Sequence, residues 1–284
     1  MDAHIHMGYY PRAGYAEPFY YSPRRIVGLM DRCGVDEFIV SSTCAQVEEI
    51  SIADMIREAR EMKRLAGARA HVFCWISGRM FDEDPQLSFL NCGYYAGIKL
   101  HEGETAWNQE RPDDLERILT DAQSRQWPVQ FHCGESDGMR PTELAKWAER
   151  FPTVNFDFAH CRPMSEMAEV IATHENVFTD CSYMPPELMS RLRDFDWRGR
   201  LMFGSDFPAC HARQDLGFAK WYREALANWE STGCDSQSAV ERFLNSRLVF
   251  QGIKEIDEVA KMHPGSETRM RSVQLSSSGP CRNG

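Results

Sequence analysis

Short apolar runs alternate with longer amphipathic stretches along most of this chain. DAHIHM, VDEFIVSST, RAHVFCWIS, YAGIKLH, PVQFHCGE, VNFDFAHC, NVFTDCSYM and RLMFGSDFP read as strands, in that order. The stretches between them repeat at helical spacing. RRIVGLMDRCG opens on Ser22-Pro23 and closes on Gly34, and QVEEISIADMIREAREMKRLAG ends at Gly67. DPQLSFLNCG reads as a short helix, and RPDDLERILTDAQSRQ starts on Pro112 and two acids. RPTELAKWAERF, MSEMAEVIATHE, PPELMSRLRDF and LGFAKWYREALANWE complete the alternation. Eight strand–helix units in sequence require a parallel sheet with right-handed crossovers. Eight is also the number that closes a barrel, so the predicted fold is α/β, a single-domain (β/α)8 TIM barrel. An open doubly wound sheet is the rival, but no Gly-rich phosphate turn follows the first strand.

After the eighth unit, QSAVERFLNSRLVFQGI has the pattern of one more amphipathic helix packing on the barrel. The barrel is therefore expected over residues 1–255, with 256–284 a short helical extension and flexible polar tail. HPGSETRMRSVQLSSSGPCRNG is rich in Ser and Gly and too poor in apolar residues to offset its ordering entropy. The 284 residues carry a net charge of −10, which disfavours nucleic acid as a partner. No apolar run approaches the roughly 18 residues of a membrane span. The ten cysteines are scattered without a CxxC pair, and no basic segment followed by an apolar run opens the chain. Those two features lead to the expectation of a cytoplasmic protein with reduced thiols. Cys133 and Cys161 are expected to pack behind their strands. The expected partner is a small-molecule substrate, and homo-oligomerisation stays open.

In such a barrel the chemistry lies at the C-terminal strand ends. By strand alternation Asp2, His4 and His6 share a face, as do Lys99 and His101. His132, His160 and Asp206 end three further strands. An isolated HxH is a weak signal, but five of nine histidines fall where a barrel would gather them. His71 belongs to the opposite rim and is expected to be structural. His174 and His263 read as solvated, and His211 lies in the loop just past Asp206, within reach of the mouth. Imidazoles with a carboxylate suit zinc, and also iron, cobalt or manganese. An open coordination position would carry a water acidified to about pKa 7. Lys99 is expected to pair with an inward carboxylate such as Asp2, or to meet substrate, because an unpaired buried charge is costly. Arg79, Arg162 and Glu135 are the loop candidates for substrate binding, an arginine fork being suited to a carboxylate. Tyr9, Tyr10, Trp75, Glu102 and Tyr183 flank them, and YYPRAGYAEPFYY reads as an aromatic loop beside the pocket.

DAHIH, GIKLH, VQFHCGE, FAHC and FGSDFP, in that order, resemble the amidohydrolase superfamily and its amidohydrolase-2 branch across residues 1–255. FLNSRLVFQGI resembles the branch's last helix. The resemblance implies that His4, His6, His132 and Asp206 hold one divalent metal ion, with zinc the first expectation. It implies that His160 stands beside the ion as an acid/base or substrate-polarising group, and that Asp206 takes the proton of the nucleophilic water. Binuclear members bridge two ions with a carboxylated lysine. Lys99 stops two residues short of its strand end, so one ion is expected, and Lys99, His101 and His160 are the residues a second ion or the substrate would meet. The implied function is a metal-dependent hydrolase that acts through a metal-activated water on a small ester, lactone or amide. Non-oxidative decarboxylation of an aromatic or unsaturated acid is the alternative, and a non-catalytic metal-binding barrel the third. The compact chain favours the hydrolase.

Overall fold

A computed structural model describes residues 1–10, 19–134, 136–209 and 215–245. Its strands are β1 (Asp2–Tyr10), β2 (Phe19–Tyr21), β3 (Phe38–Ser42), β4 (Ala70–Trp75), β5 (Gly97–His101), β6 (Val129–His132), β7 (Phe156–Ala159), β8 (Val177–Asp180) and β9 (Leu201–Met202). β1 and β3 to β9 pair in parallel in chain order. The segment after β9 then returns to β1. Ala3 N–H donates to Phe203 O (2.8 Å), Asp206 N–H to His4 O (2.8 Å) and His6 N–H to Phe207 O (2.6 Å). Ile5 and Phe207 form a parallel bridge at this seam, so the eight-stranded barrel is closed.

The helices are α1 (Pro23–Cys33), α2 (Ile52–Ala66), α3 (Gly78–Glu83), α4 (Pro112–Arg125), α5 (Pro141–Arg150), α6 (Met164–Thr173), α7 (Pro186–Met189), α8 (Asp215–Glu230) and α9 (Ser236–Leu244). The predicted caps of α1 are present: Ser22 accepts from Arg25 N–H, and Gly34 takes the left-handed conformation at φ 68°. α2 starts at Ile52 rather than Gln46, because Ser51 and Asp54 form a reciprocal capping box there. The helix expected at DPQLSFLNCG lies earlier, over α3, where Ser77 supplies the cap; Ser88–Cys92 forms only a 3-10 turn. The aromatic segment also departs from expectation. β1 runs on to Tyr10, and β2 pairs with it antiparallel, Gly8 opposite Tyr21.

One irregularity alters the predicted faces. Asp2 pairs with Phe38 but Ile5 with Val40, so β1 spends one extra residue between them, a β-bulge. Ala3 thereby joins the inner apolar cluster, and Asp2 leaves the face that His4 and His6 occupy. Its Oδ1 accepts the N–H groups of His4 (3.2 Å) and Ser205 (3.0 Å), tying the seam together. The expected Asp2–Lys99 pair is therefore corrected.

Inside the barrel, side chains are layered. Ala3, Ile39, Phe73, Phe178 and Met202 form the floor, closed from below by Ala239, Val240 and Phe243 of α9. Above them, Lys99, Gln130, Asp157 and Asp180 form a buried polar layer, with the histidines on top. The opposite faces of the strands pack against the helices through Val40, Val72, Leu100, Phe131 and Phe158. Cys133 and Cys161 are fully buried, as expected, and burial raises both thiols above their ordinary range. No described helix is long and apolar enough to cross a membrane. Residues 246–255 of the expected last helix and the 256–284 tail lie outside the described residues.

Candidate metal centre

The bulge and the seam bring three predicted residues to one point. His6 Nε2 lies 3.0 Å from Asp206 Oδ1, His4 Nε2 lies 3.7 Å from the same oxygen, and the two Nε2 atoms are 3.2 Å apart. All three residues are buried. Asp206 reaches this position because its backbone is left-handed, φ 56°, a conformation that Asp tolerates and that its N–H bond to His4 O holds. Burial lowers His6 to about pKa 4, with Asp206 opposing. Burial raises Asp206, but the hydrogen bond from His6 and the attraction of the His4, His160 and His6 rings together outweigh it and hold the carboxylate below its usual range. A neutral His6 imidazole and an ionised Asp206 carboxylate are the protonation states that a divalent cation requires. The donor set, two nitrogens and one oxygen converging from opposite sides of the seam, fits zinc with room for further ligands.

A layer of residues beneath orients these ligands. Asp180 Oδ2 lies 2.8 Å from His4 Nδ1; a carboxylate can only accept, so His4 carries its proton there and turns a bare Nε2 to His6, Lys99 and Asp206. Lys99 Nζ, 3.2 Å from that Nε2, already uses it as an acceptor. Ser41 Oγ pairs with His6 Nδ1 at 2.9 Å. Lys99 is buried among Asp180, Asp157 and Asp206, which replace Asp2 as its expected counter-charges; burial nevertheless lowers its ammonium. Asp157 is held by Gln130 Nε2 at 2.7 Å, and burial together with Asp180 raises its carboxyl. A second set, His4, His160 and Asp180, also converges. Its centre already holds the Ser182 hydroxyl, 3.0 Å from His4 Nδ1 and 2.8 Å from His160 Nδ1.

The remaining histidines form the wall. His132 lies outside the His4–His6–Asp206 group, with its Nδ1 2.9 Å from His160 Nε2. Its ring stacks on His101 with centroids 3.9 Å apart, and His101 stacks on Trp75 at 5.6 Å with planes 5° apart. Burial lowers His160 and His101 to about pKa 3 and His132 well below its ordinary value. These residues line an open cavity of about 1180 Å³ together with Lys99, Glu104, Arg79, Arg111, Arg162 and Tyr183. Arg79 reaches the cavity but is engaged by Ile50 O (2.9 Å) and Glu83 (3.3 Å). Arg162 has no carboxylate partner among the described residues; its Nε donates to Cys133 O at 3.4 Å, and its guanidinium lies 5.5 Å from the Tyr183 ring centre. His71 pairs with Glu37 at the opposite rim, and His174 bonds Val170 O at the end of α6, away from the cavity. Glu135, His211 and His263 lie outside the described residues.

Sequence reasoning missed Asp180, Ser182, Ser41 and Asp157. The signal for the first two was available. FTDCS ends the seventh predicted strand with two polar residues at alternate positions, the same spacing that marked His4 and His6.

A closed α/β barrel whose mouth gathers histidines and an aspartate defines the class: an α/β barrel with a candidate metal site at its C-terminal rim. The amidohydrolase family model, Amidohydro_2, matches residues 2–245, and the chain belongs to that family. No curated protein sequence matches it. Among solved structures it is similar to a probable 2-pyrone-4,6-dicarboxylic acid hydrolase from Acinetobacter baumannii with citric acid bound. That match has 14% identity and TM-score 0.55, covering 87% of this chain and 96% of that one. It is similar to an amidohydrolase from Burkholderia multivorans with bound zinc, at 16% identity and TM-score 0.58, covering 86% and 98%. It is also similar to 5-carboxyvanillate decarboxylase from Sphingomonas paucimobilis, at 11% identity and TM-score 0.52, covering 86% and 98%. At these identities the likeness is one of fold.

Proposed function

We propose that the protein is a metal-dependent hydrolase of a small ester, lactone or amide, with one zinc ion held by His4, His6 and Asp206. His132 is the further ligand that the family pattern assigns. The observation that carries this reading is the convergence of His4 Nε2, His6 Nε2 and Asp206 Oδ1 beside an open cavity that His6 and Asp206 line. When bound, such an ion polarises the substrate carbonyl and acidifies water toward pKa about 7. Asp206 accepts the nucleophile's proton, since its carboxylate is ionised and faces the cavity. His160 lines the same cavity and serves there as the acid/base group. Arg162 meets a substrate carboxylate where one is present. Metal analysis of protein purified without chelator should find about one zinc per chain. A panel of lactones, esters and amides should show hydrolysis that chelation removes and zinc restores. Metal-free protein with undiminished hydrolysis would sink the proposal.

One observation supports the second reading, decarboxylation. The stacked Trp75, His101 and His132 rings line the cavity together with the cationic Arg162, an aromatic wall and a cation that suit an aromatic carboxylate. Carbon dioxide release from aromatic acids, with no turnover across the hydrolase panel, would select it.

A further inference from the structure

Ser182 has no role in the ligand set, yet it touches both histidines that frame the reaction. It follows β8, is fully buried, and its N–H donates to Asp180 Oδ1 at 2.8 Å. The same Oδ1 accepts His160 N–H at 3.1 Å, so one carboxylate fixes the backbone of both residues. The Ser182 hydroxyl then lies 2.8 Å from His160 Nδ1 and 3.0 Å from His4 Nδ1. Its main-chain carbonyl lies 3.2 Å from the same His160 nitrogen.

These contacts decide where the protons sit. A carbonyl oxygen can only accept, so this contact favours the proton on His160 Nδ1, where the hydroxyl is the second and shorter acceptor. The Asp180 carboxylate imposes the same tautomer on His4, and the Ser182 hydroxyl is again the second acceptor. Both Nε2 atoms are then bare. That of His4 faces His6 and Lys99, and that of His160 accepts from His132 Nδ1 at 2.9 Å.

We propose that Ser182 is a positioning residue whose hydroxyl and carbonyl together set the proton of His160 on Nδ1, and whose hydroxyl bridges that ring to His4. It thereby presents a lone pair, rather than an N–H, from each ring to the site. The catalytic consequence rests on the proposed function, in which His4 binds the ion and His160 meets the substrate; the tautomer itself does not.

The test is two-bond 15N–1H spectroscopy of protein labelled on histidine nitrogen, treated with chelator and free of substrate. Cross-peaks are assigned by their loss in His160→Gln and His4→Gln. The wild type should show both rings protonated on Nδ1. Ser182→Ala, which keeps the main-chain carbonyl but loses the shorter hydroxyl contact, should move His160 to a mixture of tautomers while His4, still held by Asp180, keeps its pattern. Ser182→Thr, which retains the hydroxyl, should restore the wild-type spectrum. In zinc-loaded enzyme the alanine variant should lose about tenfold in kcat at little change in KM. A wild-type His160 protonated on Nε2 overturns the proposal, and that spectrum decides the matter even where Ser182→Ala does not fold. A folded Ser182→Ala protein with the wild-type tautomer also overturns it, as does a folded threonine variant with the alanine pattern. Absence of any hydrolysis would sink the proposed function and leave the tautomer result standing.

Discussion

The two ends of the barrel are built from the same strands to opposite specifications. At the floor, Phe73, Phe178 and Met202 meet Phe243 of α9, with Phe178 and Phe243 centroids 5.6 Å apart. Asn155 seals that helix by donating to three carbonyls, Arg242 O, Phe243 O and Asn245 O, at 3.0, 3.0 and 3.1 Å. At the mouth, His160, Cys161, Tyr183 and Asp206 take left-handed backbone conformations, and imidazoles, carboxylates and an ammonium lie within hydrogen-bond reach of one another. A single strand serves both ends: β8 gives Phe178 to the floor and Asp180 to the polar layer, and β4 gives Phe73 below and Trp75 above. Two residues of strand, about 6.6 Å, separate packing from chemistry. The floor should therefore govern stability and the mouth turnover.

The sharpest test of that division is Asp206→Asn. Removing the carboxylate proposed to take the proton should lower kcat/KM by about 10³-fold while the melting temperature of the metal-free protein stays within a few degrees. Loss of fold together with activity would erase the distinction. Phe243→Ala is its counterpart at the floor. Emptying a fully buried aromatic site should cost about 3–5 kcal/mol, a fall of about 10 °C in Tm for a domain of this size. The zinc content and kcat of the folded fraction should not change. A drop in kcat at unchanged Tm would show that the two ends are not separable.

Most of the mouth was legible in the sequence because barrel strands end where their polar residues begin. His4, His6, His132, His160 and Asp206 each close an apolar run, so strand order alone gathers them. What alternation could not reveal is the bulge in β1. It depends on how Asp2 and Ile5 register against β3, a tertiary choice with no local signature, and it turned Asp2 from a supposed partner of Lys99 into a clasp on the seam. The counter-charges of Lys99 were hidden for a related reason. Asp157 in VNFDFAHC looks like any polar residue in a buried strand until Gln130 and Lys99 arrive beside it from two neighbouring strands. α3 was misplaced because DPQLSFLNCG has the apolar content of a helix, while the cap that starts one is Ser77, in the preceding loop.

Between the floor and the polar layer, Gly97 marks how closely the two are fitted. A Cβ there would come within 2.6 Å of the Phe73 ring, which fills the space a side chain would need. Gly97→Ala should therefore destabilise by about 1–3 kcal/mol, read from urea midpoints. Phe73→Leu should recover part of that loss in the double variant, because the two substitutions act on one contact. Additive losses would mean that Gly97 is required by its backbone and not by the ring. Neither variant should shift KM.

The smallest effect is expected just behind the mouth, at Glu102. Its buried carboxylate accepts twice from Asn108 N–H, at 2.8 and 2.9 Å, and Asn108 Oδ1 in turn accepts from Trp147 Nε1 at 2.9 Å. Burial raises this carboxyl from 4.5 to about 7, against the opposing backbone bonds from Asn108 and Gln109. Between those two values the folded chain holds a proton that the unfolded chain has released. Stability should then fall as pH rises from about 4.5 to about 7, and level off above. Glu102→Gln removes the titration while keeping an acceptor for Asn108. Relative to wild type, the variant should gain about 1 kcal/mol between pH 5 and pH 8, measured as the change in the Tm difference between the two proteins. Equal pH profiles would show that the Asn108 bonds hold Glu102 ionised, and that this part of the rim carries its charge as readily as the open mouth does.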